Sequence, residues 1–315
     1  MIYLGIESSH DDTAIGIVKH GVVLLNFKIS QIDVHKQYGG TIPEIASREH
    51  VNNFYLLLEK LKKEFDLTKI DYIAYTEKPG LIGSLQIGYL FAHALSISLD
   101  KELIPVNHLE GHIYSVLLRN NTKEESKVIT YPALSLVVSG GHTNLFLHKS
   151  ELLWELVGQS LDDALGEVFD KVARALGFGF PGGQVIDDIF QQNDFDNLIS
   201  ITRPKTSNSL DFSFSGIKTQ VINMIHNGAQ KQQPIDVNLL AYSFQKQAID
   251  YLIDVTKKAI AIYKPKTLIL SGGVSANSYL RNEYLKLHKN TLIPIEGFST
   301  DNGPMIAIAA EVLCK

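Results

Sequence analysis

His108 and His112 bracket the string His108-Leu109-Glu110-Gly111-His112. In a helix, side chains at i and i+4 share one face, so the two imidazoles can meet one cation from a single turn. A third protein ligand must then come from far away in sequence. The best candidate is Asp301, in the polar turn Ser299-Thr300-Asp301-Asn302-Gly303 between a predicted strand and a predicted helix. Two imidazoles and one carboxylate with open positions suit iron or zinc. The pattern is not the zinc-protease motif, which places its Glu directly after the first His; Leu109 holds that position and Glu110 points elsewhere. Alone, such a pair more often marks two hydrogen-bonded or solvated histidines on one helix face. The metal reading therefore depends on the surrounding residues.

Three segments carry an apolar β run into a turn of small or polar residues. Ile2 to Ile6 leads through Glu7-Ser8-Ser9-His10-Asp11-Asp12-Thr13 into Ala14 to Val18, and Ala133 to Val138 leads through Ser139-Gly140-Gly141-His142-Thr143 into Asn144 to Leu147. Strand, turn and strand thus recur at the start of each half, which predicts a duplicated hairpin. Thr267 to Leu270 passes through Ser271-Gly272-Gly273-Val274-Ser275 into a helical pattern from Ala276 to Leu287. Glycines there admit an anion to backbone amides, and a helix start favours its charge. Together the three turns describe a two-lobed α/β nucleotide-binding fold of the actin, sugar-kinase and Hsp70 type. No GxxxxGK[ST] string occurs. Gly177, Gly179 and Gly182 match GxGxxG formally but follow a helix, so Gly177 is read as a helix C-cap.

These residues need a scaffold, and 315 residues exceed one comfortable core, so two lobes are expected. The predicted first lobe is 1–131, completed by a C-terminal helix within 300–315; the second is 132–299. The pattern gives helices over Pro43 to Phe65, Ser84 to Leu99, Leu161 to Leu176, Asp236 to Tyr263 (one or two in tandem) and Thr300 to Leu313. A strand spans Asp71 to Thr76, and the polar stretch Asn120 to Lys127 reads as the linker. On the predicted helix from Leu161, the residues Asp163, Glu167 and Asp170 share a face, and Glu167 can pair with Lys171, so solvation alone explains them. Hydrophobic residues make up 45% and charged residues 20%, an ordinary globular composition. The single cysteine, Cys314, fits a reducing compartment. Glu7 interrupts the early apolar stretch, and nothing later approaches the ~20 apolar residues of a membrane span. A cytoplasmic protein with no membrane association is expected. A net charge of −5 argues against holding nucleic acid by overall electrostatics, so any such partner needs a local patch or a helper subunit.

The strings GIESSHDDT, GGTIPEIASREH, NHLEGH, LVVSGGHTNL, DDALGEVFDK, FPGG, FSFSGIKT, GGVSAN and STDN follow one another nearly end to end. In this order the chain resembles the TsaD family of tRNA threonylcarbamoyladenosine transferases, once mislabelled O-sialoglycoprotein endopeptidases. The resemblance implies duplicated RNase H-like lobes in an actin-like fold and one divalent metal ion per subunit, with Fe2+ favoured and Zn2+ the alternative. It implies transfer of threonylcarbamoyl from threonylcarbamoyl-adenylate to the exocyclic amine of the adenosine beside the anticodon, in tRNAs reading codons that start with A. Implied partners are tRNA, a TsaB-like paralogue and a TsaE-like ATPase, with the helices Glu44 to Phe65 and Ser84 to Leu99 as docking faces, unless core packing accounts for them.

Residue by residue, His108, His112 and Asp301 match the metal ligands. Val137, Val138, Ser139, Gly140 and Gly141 would lie beside the acyl-adenylate, Asp170 and Gly183 would contact its sugar, Asp187 would add a ribose contact, and Asn277 would approach the adenine and phosphate. Glu7 and Asp11 would face the metal and phosphate region. No side chain is assigned as a base; the substrate phosphate is a candidate proton acceptor. The chain departs from the pattern at Val137, where archaeal and eukaryotic relatives carry a metal-reaching Tyr, at Lys78 before Pro79, and at Gly303-Pro304. The main rival reading is an ATP-dependent kinase or ATPase of the same fold, which would not need His108 and His112. A nucleotide-binding scaffold is a second rival, and a metalloprotease is the weakest.

Overall fold

The computed structural model describes residues 1–232 and 235–314. Its strands are β1 (Ile2–Glu7), β2 (Asp12–Lys19), β3 (Val22–Ser30), β4 (Tyr72–Lys78), β5 (Glu102–Asn107), β6 (Ala133–Val138), β7 (Thr143–His148), β8 (Trp154–Gln159), β9 (Thr267–Ser271) and β10 (Thr291–Leu292). Its helices are α1 (Ile32–Lys36), α2 (Pro43–Glu64), α3 (Ile82–Leu99), α4 (His108–Tyr114), α5 (Leu165–Ala175), α6 (Gly182–Gln192), α7 (Ser215–Gln230), α8 (Val237–Tyr263), α9 (Ser278–Leu285) and α10 (Gly303–Leu313). Two compact units result: Met1–Val128 joined by the chain from Pro294 on, and Ile129–Ile293. The boundaries therefore precede the predicted 131/132 and 299/300, and Pro294 to Ser299 belong with the first unit. Lys315, at the end of the predicted 300–315 segment, lies outside the described residues.

The first unit is built on a sheet of order β3-β2-β1-β4-β5. β1 and β2 form the predicted hairpin, pairing Gly5 with Gly16 and Glu7 with Ala14. Both strands are almost wholly buried, as expected of strands covered on two faces. Side chains alternate across a strand. Leu4, Ile6, Ile15 and Ile17 pack with Phe54, Leu57 and Leu61 of α2 and Ala92 and Leu95 of α3. The intervening Gly5 and Gly16 lie against α10, where a Cβ on either would collide with Gly303, Pro304 or Ala307. Glycine here is a packing requirement: it lets the last helix lie directly on the backbone of the first hairpin.

α2 starts with Pro43 at its first turn and ends with Lys62 and Lys63, both matched to the helix dipole. α3 stops at Asp100 in the left-handed region, φ 53°. By length and composition alone α3 is apolar enough to cross a membrane, a feature the sequence reading does not credit. One stripe of it, Ser84, Gly88, Ala92 and Leu95, is buried in this unit, while Ile82, Tyr89, Leu90 and Ile97 are exposed.

The second unit carries a sheet of order β10-β9-β6-β7-β8, with β6 and β7 forming the other predicted hairpin and β9 parallel to β6. Its core joins the sheet residues Leu134, Leu136 and Leu268 to Phe169, Phe212, Phe214 and Phe244. Helix α5 begins at Leu165, later than predicted, so Asp163 does not share a helix face with Glu167 and Asp170. The two aspartates before it are spent on long-range bonds. Asp162 accepts from the amides of Phe214 and Ser215 and from the hydroxyls of Ser213 and Ser215, tying down the start of α7. Asp163 pairs with Lys171 and Lys218. Gly177, at φ 84°, directly follows the α5 cap residue Leu176, consistent with a left-handed helix end. α8 is a single helix capped by the Asp236 carboxylate. After β9, a short 3-10 turn over Gly273–Ala276 delays the start of α9 to Ser278.

Candidate metal centre

Asn107 ends β5 and caps α4 by accepting from the Leu109 amide at 2.8 Å. That cap fixes where the helix starts, so His108 opens α4 and His112 follows one turn on. The two rings stand nearly perpendicular, 83° apart, with centroids 4.7 Å apart. At Gly111, between them, a Cβ would come within 2.9 Å of Ile306, which shows how closely α10 packs. Asn302 caps α10 by accepting from the Met305 amide at 2.9 Å, and its Nδ2 donates to the Thr300 carbonyl at 2.7 Å. The turn so held presents Asp301 to α4. Asp301 Oδ1 lies 3.1 Å from His112 Nε2 and 3.7 Å from His108 Nε2. One ligand atom from each of the three residues falls within 4.8 Å of the others. The sequence-predicted trio therefore converges, entirely within the first unit. The imidazoles are buried and the carboxylate is partly exposed.

Glu7 supplies what the spacing of the histidines alone could not reveal. Fully buried at the end of β1, its carboxylate accepts from His108 Nδ1 at 3.1 Å, Thr76 Oγ1 at 2.5 Å and the Ser9 amide at 2.5 Å. A carboxylate on Nδ1 keeps the proton there and turns the Nε2 lone pair toward Asp301. Without an ion, the two carboxylates also favour a second proton on Nε2, which a metal would have to displace. Burial pushes the Glu7 carboxyl up, but the adjacent His108 charge outweighs it and the net shift is downward. Burial opposes charge on His108, yet the Glu7 and Asp301 carboxylates win and push it up to about 9. Asp301 is driven well below the usual carboxylate range, its burial overcome by His108 and His112.

These residues fit a divalent ion. Both ring nitrogens of His112 are buried without a hydrogen-bond partner among the described residues, although Nε2 approaches Asp301 to 3.1 Å. A buried polar nitrogen left unpaired is costly, and a donor set of two nitrogens and one carboxylate oxygen suits Fe2+ or Zn2+.

Asp11 does not join the trio; its carboxylate contacts His10 Nδ1 at 2.9 Å and accepts from Thr41 Oγ1 at 3.2 Å. The other sequence candidates all lie in the second unit. The Ser139–Gly141 turn is closed by the Ser139 amide donating to His142 O at 2.8 Å and the His142 amide donating to Ser139 Oγ at 3.1 Å. Gly140 and Gly141 are exposed, and a Cβ on either would meet no atom within 4 Å, so packing does not demand glycine there. Val137 and Val138 are fully buried, which leaves the turn, not the valine side chains, at the surface. Gly272 differs: its φ is 88°, and a Cβ would collide with the Val138 backbone. Asp170 accepts from the Gly182 amide at 2.7 Å at the start of α6, and Gly183 beside it is open. Asp187 is already engaged, accepting from Gln245 at 2.7 Å and from the amide and hydroxyl of Ser278 at 2.9 Å. Asn277 caps α9 through the Leu280 amide and donates to Gln245. Both are therefore structural anchors whatever else they contact.

Known proteins resemble this chain along most of its length. The family model described as "TsaD: tRNA N6-adenosine threonylcarbamoyltransferase" matches residues 22–308. A protein of that name from Mycoplasma mobile is 55% identical over 310 residues, covering 98% of this chain and 97% of the relative. Another, from Mycoplasmopsis synoviae, is 52% identical over 315 residues, covering 100% and 99%. Among solved structures, full-length HypF in a phosphate- and nucleotide-bound form superposes with a TM-score of 0.61 at 13% identity, covering 100% of this chain and 46% of that one. The activator of 2-hydroxyisocaproyl-CoA dehydratase from Clostridium difficile with bound ADPNP gives 0.54 at 11% identity, covering 99% and 96%. At such identities the structures speak for the fold alone, the two-lobed actin, sugar-kinase and Hsp70 class. The identity across almost the whole length goes further: the chain belongs to the TsaD family, the tRNA N6-adenosine threonylcarbamoyltransferases.

Proposed function

We propose that the chain performs its family's transfer as a metal-dependent acyl transfer in the cytoplasm, with threonylcarbamoyl-adenylate as donor and the adenosine beside the anticodon of tRNAs reading A-starting codons as acceptor. The observation that carries this reading is the convergence of His108, His112 and Asp301 with Glu7 behind His108. A kinase or ATPase on the same fold has no use for that set.

His108, His112 and Asp301 would hold one divalent ion, Fe2+ or Zn2+, with Glu7 holding the remaining His108 proton on Nδ1 once the ion takes Nε2. When bound, the ion supplies Lewis-acid polarisation of a donor oxygen. The donor is a mixed carbamic–phosphoric anhydride and already activated, so positioning and charge stabilisation carry most of the task. The adenosine amine attacks the carbamoyl carbon, the new N–C bond forms, and the C–O bond to phosphate breaks to release AMP. The amine proton leaves with the AMP phosphate. In the second unit, the open Ser139–Gly141 turn offers backbone amides to a phosphate, a role its uncrowded glycines support. Asp170, Gly183, Asp187 and Asn277 would line the nucleoside side.

Partners of the TsaB and TsaE type follow from the same reading. Val51, Tyr55 and Leu56 of α2 and Ile82, Leu90 and Ile97 of α3 are exposed apolar residues on helices that pack together, and an unpartnered face of this kind suits a smaller paralogue of similar fold. The decisive experiment supplies preformed threonylcarbamoyl-adenylate and tRNA to the purified chain with its partners, then measures modified adenosine by mass analysis with and without chelator. Metal-dependent transfer without ATP cleavage by this chain is expected. ATP hydrolysis by the isolated chain, stoichiometric with each transfer, would assign it to the ATPase reading.

A further inference from the structure

Asp301 can serve as a ligand only if its turn is rigid, and the peptide groups on both sides of its Cα are bonded. The preceding carbonyl, of Thr300, accepts from Asn302 Nδ2 at 2.7 Å. The following carbonyl, of Asp301 itself, accepts from Lys28 Nζ at 3.3 Å, and the same ammonium reaches Thr300 Oγ1 at 3.4 Å. Lys28 is in turn anchored to Asp12 Oδ2 at 2.5 Å. The anchor is built into the sheet: β2 and β3 pair Ala14 with Lys28 and Asp12 with Ser30, so Asp12 and Lys28 are diagonal neighbours on one face. It is not a loose surface pair, since the Asp12 side chain is 12% exposed and that of Lys28 31%. Lys28 meets this carboxylate at Oδ2, while Oδ1 is buried with no hydrogen-bond partner among the described residues.

We propose that Lys28 is a positioning residue for the metal centre: bonded to Asp12, it fixes the backbone of the Thr300–Asp301 turn and thereby the placement of the Asp301 carboxylate against His108 and His112. The inference rests on the metal reading of that trio. Neither the pairing of Lys28 with Asp12 nor its reach to the turn was evident in the sequence, where Lys28 is one cation in a β strand.

Charge and positioning predict opposite signs here. An ammonium near the site repels a cation, so if Lys28 acted by charge alone, removing it would tighten metal binding. If it acts by fixing the ligand, removing it loosens binding. The test uses the full chain with Zn2+ as probe, reading affinity by chelator competition and release by the rate of metal transfer to excess chelator, with urea unfolding in parallel. Lys28→Met should weaken Zn2+ by about 10-fold or more and speed its release, the range seen when groups behind a ligand are removed. Lys28→Arg keeps a donor at similar reach and should restore most of the affinity. Lys28→Gln, which also removes the charge but keeps a polar side chain too short to span Asp12 and the turn, should weaken binding in the same direction and serves if Lys28→Met fails to fold. Unchanged or tighter binding in Lys28→Met, or in Lys28→Gln where that is the folded variant, overturns the proposal while leaving the metal site standing. A wild-type chain that takes up no more Zn2+ than His108→Ala overturns the metal reading and this inference with it.

Discussion

Replacing Glu7 with Gln probes the centre with almost no change in shape. The carboxylate accepts three hydrogen bonds at full burial, from Ser9 N, Thr76 Oγ1 and His108 Nδ1. An amide oxygen can still take the Ser9 amide. The NH2 group then faces the oxygen of Thr76 and Nδ1 of His108, and it is a donor. The Thr76 hydroxyl can rotate to accept. His108 can accept only by moving its proton from Nδ1 to Nε2, which blocks the nitrogen directed at Asp301. Two costs follow. The fold loses a charge-assisted bond, about 1–3 kcal/mol. Metal affinity falls further, by about 10- to 100-fold, the usual effect of losing the carboxylate behind a ligating imidazole. Chelator competition with Zn2+, run beside urea unfolding and 15N imidazole NMR to read the tautomer, separates these effects. A folded Glu7→Gln chain with wild-type Zn2+ affinity and His108 still protonated at Nδ1 would refute the argument that Glu7 sets the tautomer.

In the metal-free protein, His108 is raised from 6.5 to about 9, so its contribution to stability is full below pH 6.5 and lost as pH climbs through 9. The unfolding free energy read from urea titrations should fall over that window, by on the order of 3 kcal/mol at most, while Zn2+ affinity rises as the ion stops competing with a proton; a flat profile between pH 6 and 10 would contradict it. Gly141→Val should fold normally, because its Cβ meets nothing, yet weaken acyl-adenylate binding, whereas Gly272→Val should destabilise the fold through its collision with the Val138 backbone. Calorimetry and thermal melts distinguish the pair, and equal behaviour of the two variants would assign both glycines to ordinary turns. Tyr55→Asp on α2, at a side chain 66% exposed, should weaken association with a TsaB-like partner by about 2 kcal/mol while leaving the melting temperature of the free chain unchanged. Sedimentation with wild-type affinity for that variant would move the interface elsewhere.

Much of this architecture was legible because its signals are local. Alternating or continuous apolar runs ending in glycine and hydroxyl turns mark both hairpins, and Pro43 marks the start of α2. The histidine pair is legible from helical spacing, and Asp301 from being a carboxylate in a polar turn. What escaped depends on partners distant in sequence. Leu161 to Ala164 has helical composition, but Asp162 is taken by the start of α7 and Asp163 by Lys218, and no local pattern announces either bond. α6 was missed because it opens on Gly182 and Gly183, poor helix formers held in part by the Asp170 carboxylate. Glu7 did leave a signal, a lone acid ending an apolar strand; its pairing with His108, 101 residues away, did not. Asp187 and Asn277 resemble ligand contacts in sequence, yet the fold first uses them to hold α8 and α9.

The packing of α10 on Gly5 and Gly16 has a consequence for how the molecule is made. His108 and His112 leave the ribosome with the first strands, but Asp301 is synthesised 193 residues after His108. At roughly 5–20 residues per second that is a delay of about 10–40 s. During it the glycine face of the first hairpin is bare, and the buried imidazoles have no carboxylate opposite them. The whole of Ile129–Ile293 is completed within this interval and has its own core, so it can fold first. The first unit must wait for α10 to close over its sheet. An ion that enters early meets two nitrogens and no acid, and binds weakly. On the metal reading proposed above, loading of the centre would be a late step in biogenesis, set by translation and by the docking of one helix, and a nascent chain stalled before Asp301 should exchange Zn2+ freely where the finished chain retains it.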